Sequence, residues 1–267
     1  MRLISLTPLD LSIAAALVLA LAGLSVRMQL AVERQLLIAA LRTTVQLLLL
    51  GVVLKALFAN VNLLWMVLIA LVMLLMAGRE VMARQSHRFA GWWGFGLGTM
   101  AMFVSAFSVT LLALLVLLQV KPWYTPQYAI PLLGMVLGNT MTGIAIGLER
   151  LTQTAWQQRG QIEARLMLGQ DARTAITSIR RDSARAGMIP IINAMAAAGV
   201  VSLPGMMTGQ ILAGSPPMEA VKYQILIMFL IATGTGFGTL TALHLGSKRL
   251  FDHRQRLRLD RLRAPAD

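Results

Sequence analysis

Residues 92–118 read WWGFGLGTMAMFVSAFSVTLLALLVLL, with no charged side chain from end to end. About 20 consecutive apolar residues suffice to cross the hydrocarbon core of a bilayer as a helix. A helix this long and this apolar cannot be solvated on any face by water, so the stretch predicts a membrane span. Working outward, six further runs have the same character: Leu9–Val26, Leu36–Phe58, Leu63–Ala77, Tyr128–Leu148, Ala186–Ala213 and Tyr223–Leu245. The composition agrees, with 57% hydrophobic and only 13% charged residues, against about 25% charged in soluble domains. The expected fold is an all-α integral membrane protein of about seven helices, one membrane domain over residues 1–267. Leu9–Val26 lacks a small-residue cleavage site and is expected to be retained as the first helix. The run Ala186–Ala213 contains Pro190 and, further on, Pro204-Gly205, so a kink or break is expected within it.

Charge fixes the expected orientation. With the N-terminus outside, 19 of the 24 basic residues fall on the inner side, four (Arg2, Lys55, Lys121, Lys222) fall outside and Arg42 lies within a helix. This is the positive-inside pattern, and it places the C-terminus in the cytoplasm. Trp92, Trp93, Trp123, Tyr124 and Tyr128 stand at expected helix ends, where amphipathic rings prefer the interface. The formal charge of +13 is distributed between apolar runs. That is the pattern of membrane-surface charge, so no nucleic-acid partner is expected and the partner surface is the lipid bilayer of the cell (inner or plasma) membrane.

Residues 149–185 are the one large inner segment. Ile162, Leu166, Ala172, Ala175, Ile176 and Ile179 recur at roughly helical spacing around Gly169. Gly169 is suited to end one short helix and Asp171 to cap the next. Such a helix pair is too small for an independent domain and is suited to dock on another protein. A basic tail, 246–267, follows the last span.

Catalytic chemistry is missing. Cysteine is absent, no paired-carboxylate or His-rich metal motif occurs, and no Walker A sequence is present. Gly234-Thr235-Gly236-Phe237-Gly238 lies inside a span and is read as close helix packing. No cofactor is expected on the chain. His244, near the inner end of the last span, reads as an interfacial histidine. The polar and soft groups within spans are Gln46, Asn139 and Asn193, with Met135, Met195, Met206 and Met207. Buried amides need partners or a hydrated path, and thioethers are ligands for soft metal ions. Gln46, Met135, Asn139, Asn193, Met206 and Met207 are therefore candidates for a substrate path, with helix–helix hydrogen bonding and ordinary apolar packing as the competing readings.

The stretch Gly199–Ile225, GVVSLPGMMTGQILAGSPPMEAVKYQI, closely resembles the FetB-like iron-export permease family. Arg42-Thr43-Thr44-Val45-Gln46-Leu47 with Gly51 and Leu54-Lys55 carries the resemblance further. So do Gly134-Met135 with Gly138-Asn139, and Arg181-Asp182-Ser183-Ala184-Arg185-Ala186 with Ile189-Pro190. The resemblance implies the membrane subunit of an ABC transporter that exports iron, with ATP used by a separate cytoplasmic ATPase and with two permeases and two ATPases per assembly. Plant relatives linked to aluminium tolerance imply that the substrate varies. Glu163-Ala164 followed by Gly169 resembles the start of a permease coupling loop, although the proline that usually ends that motif is missing. By this resemblance Glu163, Ala164, Leu166, Gly169, Ile176 and Ile179 become candidates for contact with the ATPase.

Overall fold

A computed structural model describes residues 7–59 and 62–263. Arg2 and the last residues of the tail, 264–267, lie outside the described residues. The chain forms two compact units.

The first unit holds α1 (Pro8–Arg27) and α2 (Glu33–Ala59). The helix α1 starts on a capping box. The Asp10 amide donates to Thr7 Oγ1, and the Thr7 amide donates to Asp10 Oδ2 at 2.8 Å, satisfying two amides that a helix start leaves open. Pro8, at the first helical position, has no amide to lose. The two helices pack on each other, and Ser25 Oγ donates to Glu33 Oε2 at 3.1 Å.

The second unit holds the rest of the chain except Leu212–Gly214. Its helices are α3 (Leu63–Ala83), α4 (Trp92–Leu117), α5 (Pro126–Gln157), α6 (Arg159–Met167), α7 (Ala172–Ala175), α8 (Thr177–Ala197), α9 (Gly205–Leu212) and α10 (Pro217–Arg249). The long helix α4 widens to π geometry at Phe103–Phe107 and again at Ala113–Leu117. At 32 and 33 residues, α5 and α10 are each roughly 50 Å long at 1.5 Å per residue. They overrun an apolar core of about 30 Å, so their polar ends reach beyond it.

The centre is α5, packed against α3, α4, α8 and α10. Close approach there depends on glycine. A Cβ at Gly143 would sit 2.7 Å from Thr239 Oγ1, a distance Cβ atoms essentially never show, and a tight 3.0 Å from the Gly187 carbonyl oxygen. One at Gly234 would sit 2.6 Å from Val136 Cγ1. The 234–238 run is thus a small-residue packing surface against α5, as the sequence suggests.

Among the described residues six helices are long and apolar enough to cross a membrane: α1 to α5 and α10. These six correspond to six of the seven expected spans. The other expected span, Ala186–Ala213, is interrupted. The first half of α8 carries Arg180, Arg181, Asp182 and Arg185, and the helix ends at Ala197. The chain then turns through 198–204, with Gly199 at φ +82°, and restarts as α9. Pro190 does not make this break, because α8 continues through it. The interruption lies at Gly199 to Pro204, with Gly205 opening α9. Val200 and Val201, 89% and 83% exposed, ride on the turn.

One end of the second unit collects its basic segments. Ser86 donates from its amide (2.8 Å) and from its hydroxyl to the Glu149 carboxylate, and His87 stacks on Trp156 with ring centroids 5.1 Å apart. These contacts tie the α3–α4 connection to the end of α5. The tail is folded here too. Two short strands, β1 (Arg88–Phe89) and β2 (Leu262–Arg263), pair antiparallel. Arg249 lies over the Trp93 ring at 4.6 Å, and Arg261 donates to the carbonyls of Arg249 and Phe251. Asp252 accepts from the amides of Arg254 and Arg256 and from Arg256 Nε, each at 2.9 Å. Those bonds and the flanking arginines hold its carboxyl at about 2, below the ordinary carboxylate value. The opposite end of the unit carries Lys121, Trp123, Tyr124 and Lys222.

Candidate functional site

Two places in the second unit gather candidate residues. The first is a cavity of about 210 Å³ near the less basic end, between α5, α9 and α10. Met135 of α5 and Met206 of α9 both line it, so the break in Ala186–Ala213 serves to bring these two thioethers into one pocket. Gln127, Tyr128, Gln210 and Tyr223 complete its polar lining. Gln210 Oε1 is buried and has no hydrogen-bond partner among the described residues. Gln210 was not among the residues singled out from sequence, although it follows Met206 at the i, i+4 spacing that shares a helix face. A second cavity of about 260 Å³ between α3, α4 and α5 is apolar apart from Thr110 and the ring polar atoms of Trp123 and Tyr124. Among the described residues no three His, Asp or Glu side chains form a metal-binding group. The donors in the first pocket are therefore thioethers, amides and phenols. All are neutral ligands that would hold a cation weakly.

Asn139 and Asn193 are exposed on the second unit. Ile146 of α5 and Ala186 of α8 line one groove. Asn139 and Asn193 each lie seven residues, two helical turns, from that pair, both toward the less basic end. Asn139 Nδ2 donates to the Met135 carbonyl at 2.8 Å, while its oxygen accepts no bond among the described residues. Gln46 is exposed on α2 in the first unit. Met195 is exposed and Met207 partly so, and neither lines the pocket around Met206.

The second place is the helix pair α6–α7. Gly169 ends α6 with φ +85°. The Gln170 amide donates to the Arg165 carbonyl at 3.1 Å and the Gly169 amide to the Leu166 carbonyl at 3.0 Å, the paired bonds of a Schellman end. Asp171 caps α7 by accepting from the Thr174 amide at 2.9 Å. The bonds from Thr174 lower its carboxyl pKa. Arg165 reaches across the turn to the Ala175 carbonyl at 3.1 Å, and the Ala172 amide donates to Gln255 Oε1 of the tail at 2.9 Å.

The apolar residues at helical spacing mark the inward face of the pair. Ile162, Ile176 and Ile179 are buried in the chain's own core, so they hold the pair in place and are not free to fill a partner's groove. Leu166 is half-buried, and Glu163 and Ala164 are exposed. The outward apolar groups are Met167 and Leu168, 82% and 83% exposed immediately before the turn. Two adjacent apolar residues break the helical period, and that break was the signal for them.

The family comparison matches residues 8–251 to a model described as Uncharacterised protein family (UPF0014). The chain belongs to the UPF0014 family. It is a multi-pass membrane protein, as the family's membrane proteins and its own six long apolar helices agree. It is 39% identical to the UPF0014 membrane protein slr1647 of Synechocystis, over 84% of this chain and 85% of that one. It is 30% identical to the "Probable iron export permease protein FetB" of Escherichia coli, over 97% of this chain and 98% of that one. It is 33% identical to the "Protein ALUMINUM SENSITIVE 3" of Arabidopsis thaliana, over 87% and 84%. No solved structure matches. The UPF0014 match takes in both the broken span and the α6–α7 pair, so both places described above lie within the family's shared region.

Proposed function

We propose that this chain is the membrane permease subunit of an ABC transporter that exports iron or a related metal ion, driven by a separate cytoplasmic ATPase. The observation that carries this reading is the α6–α7 pair, an ordered helix–glycine–helix element with two exposed apolar side chains at its tip. The UPF0014 relative named as an iron export permease, similar over nearly the whole chain, supports the substrate class. Neutral thioether and amide donors around Met135, Met206 and Gln210 suit a site that must release its cargo. The competing reading is a self-sufficient carrier or channel. Two features weigh against it: the absence of a carboxylate in the membrane part of the sequence, and a surface pair suited to docking. The reading needs two permeases with two ATPases, since each chain offers one docking pair. Co-expression with the candidate ATPase should yield a complex of equal subunit numbers, and cells lacking this chain should retain more iron after an iron load. A complex of one permease with two ATPases, or unchanged metal content for every metal tested, would overturn it.

The proposed topology has seven membrane crossings, α8 and α9 together supplying the sixth. The N-terminus is outside and the basic end of the second unit faces the cytoplasm. A reporter fused at the C-terminus should then read as inside, and one inserted near Lys121 as outside. The reverse result at either point removes the topology and leaves the family assignment untouched.

A further inference from the structure

A large open pocket, about 740 Å³, lies at the basic end between α7–α8 and the last turns of α10. Arg173, Arg180 and Arg181 line it from one side and His244 from the other. None of the three arginines has a carboxylate within ion-pair distance among the described residues. In contrast, Arg185 and Arg256 each have one and Arg258 has two. Lys248, Arg180 and Arg173 lie close enough for their charges to act on His244. Uncompensated positive charge is therefore concentrated in one concavity. A guanidinium pairs with phosphate oxygens through two parallel hydrogen bonds, which makes a phosphate group the matching ligand.

The other wall decides what carries that phosphate. Ala184 and Leu240 line the same pocket. Leu240 is 50% exposed, and Phe237, one turn further into the span, is 61% exposed. The pocket thus opens along an apolar helix face that belongs to a membrane-spanning helix. It is polar where the arginines precede the apolar half of α8 and apolar beyond. A free anion would use only the arginine side. A lipid would use both: the headgroup phosphate among the arginines, and the acyl chains along Leu240 and Phe237. We propose that this pocket is a binding site for an acidic phospholipid, separate from the exposed Met167–Leu168 tip. Occupancy would neutralise the arginines that abut the start of α8, the helix that leads into the broken span.

The test uses the full chain purified from membranes and reconstituted in nanodiscs of phosphatidylcholine with a minor fraction of phosphatidylglycerol. Native mass spectrometry should show phosphatidylglycerol retained on the protein after phosphatidylcholine is stripped away. An Arg180→Gln/Arg181→Gln double variant should lower that retention at least fivefold. The Arg180→Lys/Arg181→Lys protein, which keeps the charge, should hold most of it and so controls for folding. Leu240→Gln should weaken lipid retention as well, because it places an amide on the acyl path. Equal retention by wild type and the Gln variant overturns the proposal. So does equal retention of both lipids, or full displacement of phosphatidylglycerol by millimolar inorganic phosphate, which would make the pocket a site for free anions.

Discussion

A Gly169→Val protein should reach the membrane at normal levels and lose most of its transport. At φ +85°, a residue with a Cβ pays about 1–2 kcal/mol relative to glycine, and a β-branched one more. Nothing lies within 4 Å of where that Cβ would stand, so crowding adds no second cost and the effect is one of backbone conformation alone. The Schellman bonds of Arg165 and Leu166 and the Asp171 cap depend on that conformation. Losing them frees α6 from α7 and moves the Met167–Leu168 tip. A shift of 1–2 kcal/mol changes an equilibrium by roughly five- to thirty-fold. ATPase association, or transport per bound ATPase, should fall by a factor in that range. Asparagine tolerates left-handed angles better than other residues with a side chain, so Gly169→Asn should recover most of the activity. Normal transport by the Val protein, or equal loss in the Val and Asn proteins, would remove the helix pair from the coupling role.

The two halves of this expectation differ in how far sequence alone reaches them. Gly169 and Asp171 were legible because a glycine followed by a capping residue has a local meaning that tertiary packing rarely overrides. The side of the pair left exposed was not legible. Periodicity reports which face of a helix is apolar, and an apolar face packs against its own chain whenever that chain offers a core. Ile162, Ile176 and Ile179 did so, leaving Met167 and Leu168 outside. The same distinction runs through the fold. Six spans followed from composition. The break was legible at one of its two marks: the next helix restarts at Gly205, just after Pro204, whereas Pro190 removes a single backbone hydrogen bond from α8 without ending it, and Gly199 at φ +82° turns the chain. The tail was read as a charged extension. Its β pairing with Arg88–Phe89 joins positions far apart in sequence, which no local pattern reports. In the pocket, Met135 and Met206 were named from chemistry, but only the break and restart of the helix places them together.

Replacing Asn139 by alanine should lower transport about tenfold, because removing a hydrogen-bonding group from a desolvated path costs roughly 1–3 kcal/mol. Asn139 sits in a membrane span, exposed on its unit, with its amide nitrogen bonded to the Met135 carbonyl and its oxygen free among the described residues. An amide oxygen in such a place is costly against lipid. It is better explained by a donor that arrives from outside the unit: a hydrated substrate, a water file or another helix. The protein level separates the explanations. If Asn139 serves the route, the alanine protein accumulates in the membrane, binds the ATPase and fails to export. If it only fastens one helix to another, the protein becomes scarce or unstable. Gly143→Val supplies the pattern of a packing failure for comparison. Its Cβ would meet Thr239 Oγ1 at 2.7 Å and the Gly187 carbonyl at 3.0 Å, and overpacking of that kind typically costs about 1–3 kcal/mol or more. Folded protein should then fall together with activity. An Asn139→Ala protein whose abundance and thermal stability drop as those of Gly143→Val do would show that Asn139 holds the bundle together and is no part of the route. One with unchanged export would show that it does neither.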